Sequence, residues 1–307
     1  TGAIIHHVVG VAANDFFGCS AARVGDVNGD GFADFVVGAR GTDANFNKTG
    51  SVVCLSGADA SVIWTADGDA QGDQFGSVAD AAGDVDGDGI GDVIASATLH
   101  DTNGVNAGMA RVLSGVDGST IHTFYGTAQD DSFGRSVGGG GDLDGDGFDD
   151  VLVGMGNVSQ AGAGRGLVWA FSGATGAVLW TVAGDNDHDM LGNAVDNIGD
   201  TNGDGLDECV AGGQQYDPLG PGNGVVKCYD PSGTPPPPPP DWGNLPTTFV
   251  AIGSGFADDF ESKPPRINYG EERAAVGDVG RHRSRAGDLE PGAAAGHQLA
   301  QLLVPSA

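Results

Sequence analysis

Short apolar, β-branched runs alternate with glycine-bounded polar stretches along most of this chain, and the alternation recurs every 58 residues. Phe17-Gly18, Phe75-Gly76, Phe133-Gly134 and Leu191-Gly192 mark the period. The runs from Phe35, Val93, Val151 and Cys209 are short, β-branched and closed by small residues, so each predicts a buried strand rather than a helix. A second strand follows a longer polar loop and ends in Ser-Gly or a variant: SVVCLSG from Ser51, ARVLSG from Ala110, LVWAFSG from Leu167 and VVKCYDPSG from Val225. A third strand leads to the next landmark, from Ser61, Thr120 and Ala177, and its first copy stands at the N-terminus as AIIHHVVG from Ala3. His6, Trp64, His122 and Trp180 share one register position. The chain thus enters mid-repeat, and the fourth repeat ends at Ser232 without a third strand of its own. Repeats of this length with three or four strands predict an all-β fold, a β-propeller of four blades. The N-terminal strand is expected to complete the last blade, either in the same chain or in a neighbour.

Between the landmark and the first strand of each repeat lies an acidic loop: DVNGDGFAD from Asp26, DVDGDGIGD from Asp84, DLDGDGFDD from Asp142 and DTNGDGLDE from Asp200. Calcium takes six to eight oxygen ligands, and a tight loop offers them at alternate positions, with glycine allowing the sharp turn. The expected ligands are Asp26, Asn28, Asp30 and Asp34 with the Phe32 carbonyl, then Asp84, Asp86, Asp88 and Asp92 with Ile90. They continue as Asp142, Asp144, Asp146 and Asp150 with Phe148, and Asp200, Asn202, Asp204 and Glu208 with Leu206. Four Ca2+ sites are expected. These are not EF-hands: position 12 is Val37, Ala95, Val153 or Ala211 instead of a bidentate glutamate, and a strand follows instead of a helix.

Charge sharpens this picture. The chain carries 42 acidic and 13 basic residues, a formal charge of -29, which excludes nucleic-acid binding through phosphates. The acidic groups are concentrated in the loops, where mutual repulsion costs stability unless a cation neutralises it. Glycine, at 56 of 307 residues, fits a turn-rich β protein. No run approaches the ~20 apolar residues of a membrane helix, so membrane insertion is not expected. The start at Thr1-Gly2 is read as a mature secreted form. Cys19, Cys54, Cys209 and Cys228 form no C-x-x-C pair. They allow three pairings, of which Cys209–Cys228 with Cys19–Cys54 is favoured, and buried free thiols are the alternative. From Thr234 the composition changes. The expected organisation is a repeat domain over 1–233, a polyproline linker over 234–241 and a C-terminal tail or truncated module, partly disordered, over 242–307.

The Phe-Gly pairs, the acidic loops and the strands ending in Ser-Gly resemble the FG-GAP repeats of integrin α-chain β-propellers and their bacterial secreted relatives, over about residues 3–232. The resemblance implies structural calcium on one face of the propeller and recognition on the other. It also implies seven blades, where only four repeats are present here.

A search for catalytic groups finds neither a G-x-S-x-G elbow nor an H-E-x-x-H pair. His6 and His122 share a register with tryptophans, so strand packing accounts for them. His188, beside Asp185 and Asp187, is a weaker candidate ligand or base in a polar loop. The expectation is therefore a secreted, non-catalytic scaffold for adhesion, surface or matrix assembly, self-associating into filaments or binding a protein or glycan ligand through its variable loops. The alternative is a recognition module of a secreted polysaccharide-acting enzyme.

Overall fold

A computed structural model describes residues 2–41, 49–156, 164–214 and 224–233. It is all-β, with four separate antiparallel sheets, one for each 58-residue repeat. The first blade holds β1 (Phe17–Gly25), β2 (Asp34–Ala39), β3 (Ser51–Leu55) and β4 (Val62–Asp67). The second holds β5 (Val78–Gly83), β6 (Asp92–Ala97), β7 (Met109–Leu113) and β8 (Thr120–Tyr125). The third holds β9 (Ser136–Gly141), β10 (Asp150–Met155), β11 (Leu167–Phe171) and β12 (Val178–Ala183). The fourth holds β13 (Leu191–Gly199), β14 (Glu208–Gly213) and β15 (Val225–Tyr229). Within each sheet the strands pair in chain order. All four expected first strands form, as β2, β6, β10 and β14.

Each blade has one strand more than the hydrophobic pattern predicts. The inner strands β1, β5, β9 and β13 read FGCSAARVG, VADAAG, SVGGGG and LGNAVDNIG. They lack the apolar alternation of a strand because they pack directly on one another, β1 on β5, β5 on β9 and β9 on β13. Where the backbones approach most closely, as at Gly139 beside Ala82, no side chain fits without displacing its neighbour. β13 makes no comparable contact with β1. The apolar core lies between successive sheets. Val36, Val52, Phe75, Val93 and Met109 fill the space between blades one and two, and Ile94, Phe133, Val151 and Met155 that between blades two and three. Burying one such side chain contributes roughly 1.5–3 kcal/mol.

Residues 3–10 do not form a strand in any sheet. They lie instead against the first blade, where His6 Nε2 meets the Gly57 carbonyl at 3.0 Å. Trp64 Nε1 donates to Gly115 O (2.7 Å) and His122 Nε2 meets Gly173 O (2.6 Å) at the same register position. The N-terminal segment therefore occupies the place of an outer strand belonging to a blade before the first. The linker and tail expected from 234 onward fall outside the described residues.

The expected disulfides are not formed, and all four cysteines are free thiols. In the β14–β15 ladder Cys209 faces Tyr229 while Cys228 faces Val210, so the two side chains project from opposite faces of the sheet. Cys19 and Cys54 sit on β1 and β3, separated by β2. Burial pushes the Cys54 and Cys209 thiols up to about 12.

Candidate metal centre

Each acidic loop is a turn that leaves the inner strand and enters the next strand at its ninth residue. Its geometry repeats. The fourth and sixth positions are glycines in the left-handed region, for example Gly29 and Gly31 at φ 74° and 89°, a conformation that disfavours side chains. The first aspartate accepts the N–H of the sixth residue: Gly31 on Asp26 (2.8 Å), Gly89 on Asp84 (3.0 Å), Gly147 on Asp142 (3.0 Å) and Gly205 on Asp200 (3.1 Å). The fifth accepts the N–H of the seventh, from Phe32, Ile90, Phe148 and Leu206 to Asp30, Asp88, Asp146 and Asp204. Asn28 and Asn202 accept the N–H of Asp30 and Asp204, as Asp86 and Asp144 do from Asp88 and Asp146.

Three of the loops gather carboxylate oxygens within 4.8 Å of one another: Asp84, Asp86 and Asp92; Asp142, Asp144 and Asp146; Asp200, Asp204 and Glu208. Asp88 and Asp150 share their loops without joining these groups. The first loop, with Asn28 at its third position, has no such triad among the described residues. A hard cation with oxygen ligands matches this donor set.

The ninth residue differs from the others. Asp34, Asp92, Asp150 and Glu208 are buried, at 4% exposure or less. One oxygen of each accepts an N–H at the start of its own loop, from Val27, Val85, Leu143 and Thr201. In the first three blades the other oxygen accepts the N–H of the Ser-Gly turn, from Gly57 (2.9 Å), Gly115 (2.9 Å) and Gly173 (2.8 Å). The carboxylate thus clamps loop to blade. Burial pushes Asp92 up to about 6 and Asp150 up to about 7, with nearby loop aspartates adding to the shift. In the fourth blade the register position of those glycines is Pro231, which has no N–H to give. Glu208 Oε1 is left buried without a hydrogen-bond partner. A buried carboxylate oxygen in that state costs free energy unless a cation meets it.

Adjacent loops are also joined to each other. The Asp149 N–H donates to Asp84 O (3.1 Å) while Asp149 Oδ2 accepts the Asp84 N–H (2.7 Å), and the Asp207 N–H donates to Asp142 O (3.0 Å). The eighth loop position therefore ties one blade's loop to the preceding one.

A second aspartate series, not singled out in the sequence, lies two residues before each landmark: Asp15, Asp73, Asp131 and Asp189. All four are buried. They accept N–H groups three residues upstream, from Ala12, Ala70, Ala128 and Asn186. The 58-residue period was the signal that would have found them. The residue just before each landmark, Phe16, Gln74, Ser132 or Met190, has a positive φ of 52–59°. Of the candidate catalytic set, Asp185 and Asp187 are taken up by Lys227 Nζ (2.7 Å) and Arg165 Nε (2.9 Å).

Comparison with known proteins agrees with the repeat geometry. The FG-GAP repeat family matches residues 20–53 and 133–171, so the chain carries FG-GAP repeats. Over 174 residues it is 32% identical to integrin alpha-5 of Xenopus laevis, an alignment covering 54% of this chain. The chain spans only 16% of that relative's length. Among solved structures, rhamnogalacturonan lyase YesW aligns at a TM-score of 0.38 with 18% identity, over 62% of this chain and 40% of that one. The Bacillus licheniformis rhamnogalacturonan lyase PL11 aligns at 0.38 with 18% identity, over 63% and 39%. BamB from Moraxella catarrhalis aligns at 0.36 with 16% identity, over 69% and 50%.

Proposed function

We propose that this chain is a calcium-stabilised, non-catalytic scaffold that works outside the cell, in adhesion or in surface or matrix assembly. The observation that carries the reading is the repeated acidic loop, whose carboxylates converge in three of the four copies. The side chains proposed to hold the ions are those at the first, third, fifth and ninth positions, with the seventh carbonyl. In the fourth loop the buried Glu208 Oε1, which accepts no hydrogen bond, is the oxygen proposed to meet the ion. Bound calcium would offset the repulsion of each cluster and fasten loop to blade. Extracellular modules bind calcium at roughly 10⁻⁴–10⁻³ M, a range that suits a structural ion outside the cell.

The histidines support a non-catalytic reading, because His6 and His122 are engaged with glycine carbonyls at blade joints. The ligand class proposed is a protein or glycan met by connections such as Leu99–Gly108, of which Asp101, Thr102, Asn103 and Val105 are exposed. The test is thermal unfolding in millimolar calcium and in excess chelator. At about a tenfold excess over its Kd each ion adds about 1.4 kcal/mol, so chelation of several ions is expected to lower the melting temperature by many degrees. An unchanged melt would refute the structural role of calcium.

A further inference from the structure

Three blade-to-blade joints are built alike, and the chain carries the two unmatched halves of a fourth. At each formed joint the first residue of the landmark pair bridges a glycine of the preceding blade: Phe75 with Gly50, Phe133 with Gly108, Leu191 with Gly166. The landmark glycine also presses on that blade's second strand. A Cβ at Gly38 would stand 2.1 Å from Gly76 O, and one at Gly154 would stand 2.1 Å from Gly192 O. At the ends of the array no described residue covers these surfaces. A Cβ at Gly18 would meet nothing within 4 Å, and one at Gly212 no atom nearer than Ala194 Cβ at 3.7 Å, an ordinary contact. The flank of blade four is an open cavity of about 350 Å³ lined by Asn193, Ala194, Gly212, Val225 and Val226.

The strands are unmatched in the same way. β4, β8 and β12 pair with β3, β7 and β11, but β15 has no outer partner among the described residues. In register with β12, positions 236–241 read PPPPPD, and proline offers no N–H to a ladder. The other segment in that register is Ile4–Val9. It is β-branched, outside every sheet, and exposes Ile4, Ile5 and Val9 at 82%, 86% and 67%. Val226, on the waiting strand, is 71% exposed.

We propose that Ile4–Val9 of a second copy forms the outer strand on β15, so that chains join head to tail. This rests on the scaffold reading and names its partner. Transferring the β3–β4 register, where Val52 faces Ala66, puts Val226 opposite the second copy's Val8 and Lys227 opposite its His7. The donor needs no rearrangement, because it already lies against its own first blade as β4 lies against blade two. That blade then covers Gly212 with its Phe17-Gly18. A second copy is the occupant because β13 and β1 of one chain do not pack together as neighbouring inner strands do. Such a contact is heterologous, and it closes as a ring or runs on as a filament according to the rotation per blade. Two copies joined at both ends stay within the usual span of about four to eight blades.

The test is sedimentation of the full chain in millimolar calcium, with two sets of variants. The expected species has at least twice the 30.6 kDa mass of one chain. Gly212→Val is expected to weaken association at least about tenfold by overfilling the joint, while leaving the melt of the dilute chain in place. In a Cys19→Ser, Cys228→Ser background, mixing Val8→Cys with Val226→Cys chains and oxidising them is expected to give a two-chain product linked between those positions. A chain that stays at 30.6 kDa at every concentration overturns the proposal. So does a Val8→Cys, Val226→Cys chain that cross-links within itself. A monomer whose melt still depends on calcium defeats this inference and leaves the scaffold reading standing; assembly without calcium dependence does the reverse.

Discussion

Gly154 and Gly212 occupy one register position in successive blades, and replacing each with alanine is expected to move stability in opposite directions. At Gly154 the new methyl would stand 2.1 Å from the Gly192 carbonyl oxygen and 2.3 Å from Ser136 Oγ. The joint must open to admit it, which costs about 1–3 kcal/mol as overpacking. Opening also breaks the 2.9 Å bond from Ser136 Oγ to Gly192 O, worth about 0.5–1.5 kcal/mol. The total is about 2–4 kcal/mol. At about 2–4 °C per kcal/mol for a unit of this size, the melting temperature falls by roughly 5–15 °C. At Gly212 the nearest atom is Ala194 Cβ at 3.7 Å, an ordinary contact. There the substitution acts on the unfolded chain and stabilises by about 0.4–1 kcal/mol. The assay is thermal unfolding followed by circular dichroism, in millimolar calcium and at a dilution where the flank of blade four is uncovered. Shifts of the same sign and size for both variants would refute the joint geometry.

The other expectations concern single side chains. A thiol reagent at neutral pH should modify Cys19 and Cys228, which are exposed, and spare Cys54 and Cys209 until the chain unfolds; equal rates at all four would contradict the burial that lifts the latter pair to about 12. Trp64→Phe should cost about 1–2 kcal/mol more than Trp180→Phe, because Trp64 Nε1 gives up a 2.7 Å bond to Gly115 O while Trp180 Nε1 is buried without one. Urea titrations of the two variants make that comparison. Pro231→Gly restores an N–H opposite Glu208 and should stabilise the chelated protein by about 1 kcal/mol, after the cost of a freer unfolded chain; a loss of stability would count against the missing-donor account of Glu208.

The strands with apolar side chains were legible in sequence because burial on both faces leaves a plain run such as Val151–Gly154. The inner strands were not. A strand such as SVGGGG at Ser136–Gly141 carries almost no hydrophobic signal, since contact with its neighbours selects small residues. The loops were legible as ligand sets, yet the ninth residue has a second task invisible at the level of spacing. Its oxygens are spent largely on backbone N–H groups, and only the fold brings Gly57, 23 residues from Asp34, to its side. The cysteine pairing failed for a reason of parity: Cys209 and Cys228 lie on adjacent strands but one residue out of register. Nor does spacing reveal which blade the N-terminal segment lies against.

The departures from the repeat concentrate at the end of the fourth blade. There Pro231 replaces the glycine whose carbonyl receives Trp64 and His122 in the earlier joints; proline keeps that carbonyl, yet Trp180 Nε1 is buried without a hydrogen-bond partner. The same replacement removes the N–H that would clamp the ninth loop residue, and Glu208 Oε1 loses its donor. The fourth blade therefore lacks bonds that the earlier repeats make both at the joint to blade three and in its own loop. Proline then recurs through the positions where an outer strand would pair. A blade with a weakened clamp, a free carboxylate oxygen and a strand edge unpaired among the described residues depends more than the others on what it binds. A cation meeting Glu208 and a strand laid on β15 would restore what the chain's own sequence withholds there, so the fourth blade is where ion binding and association are expected to act on each other.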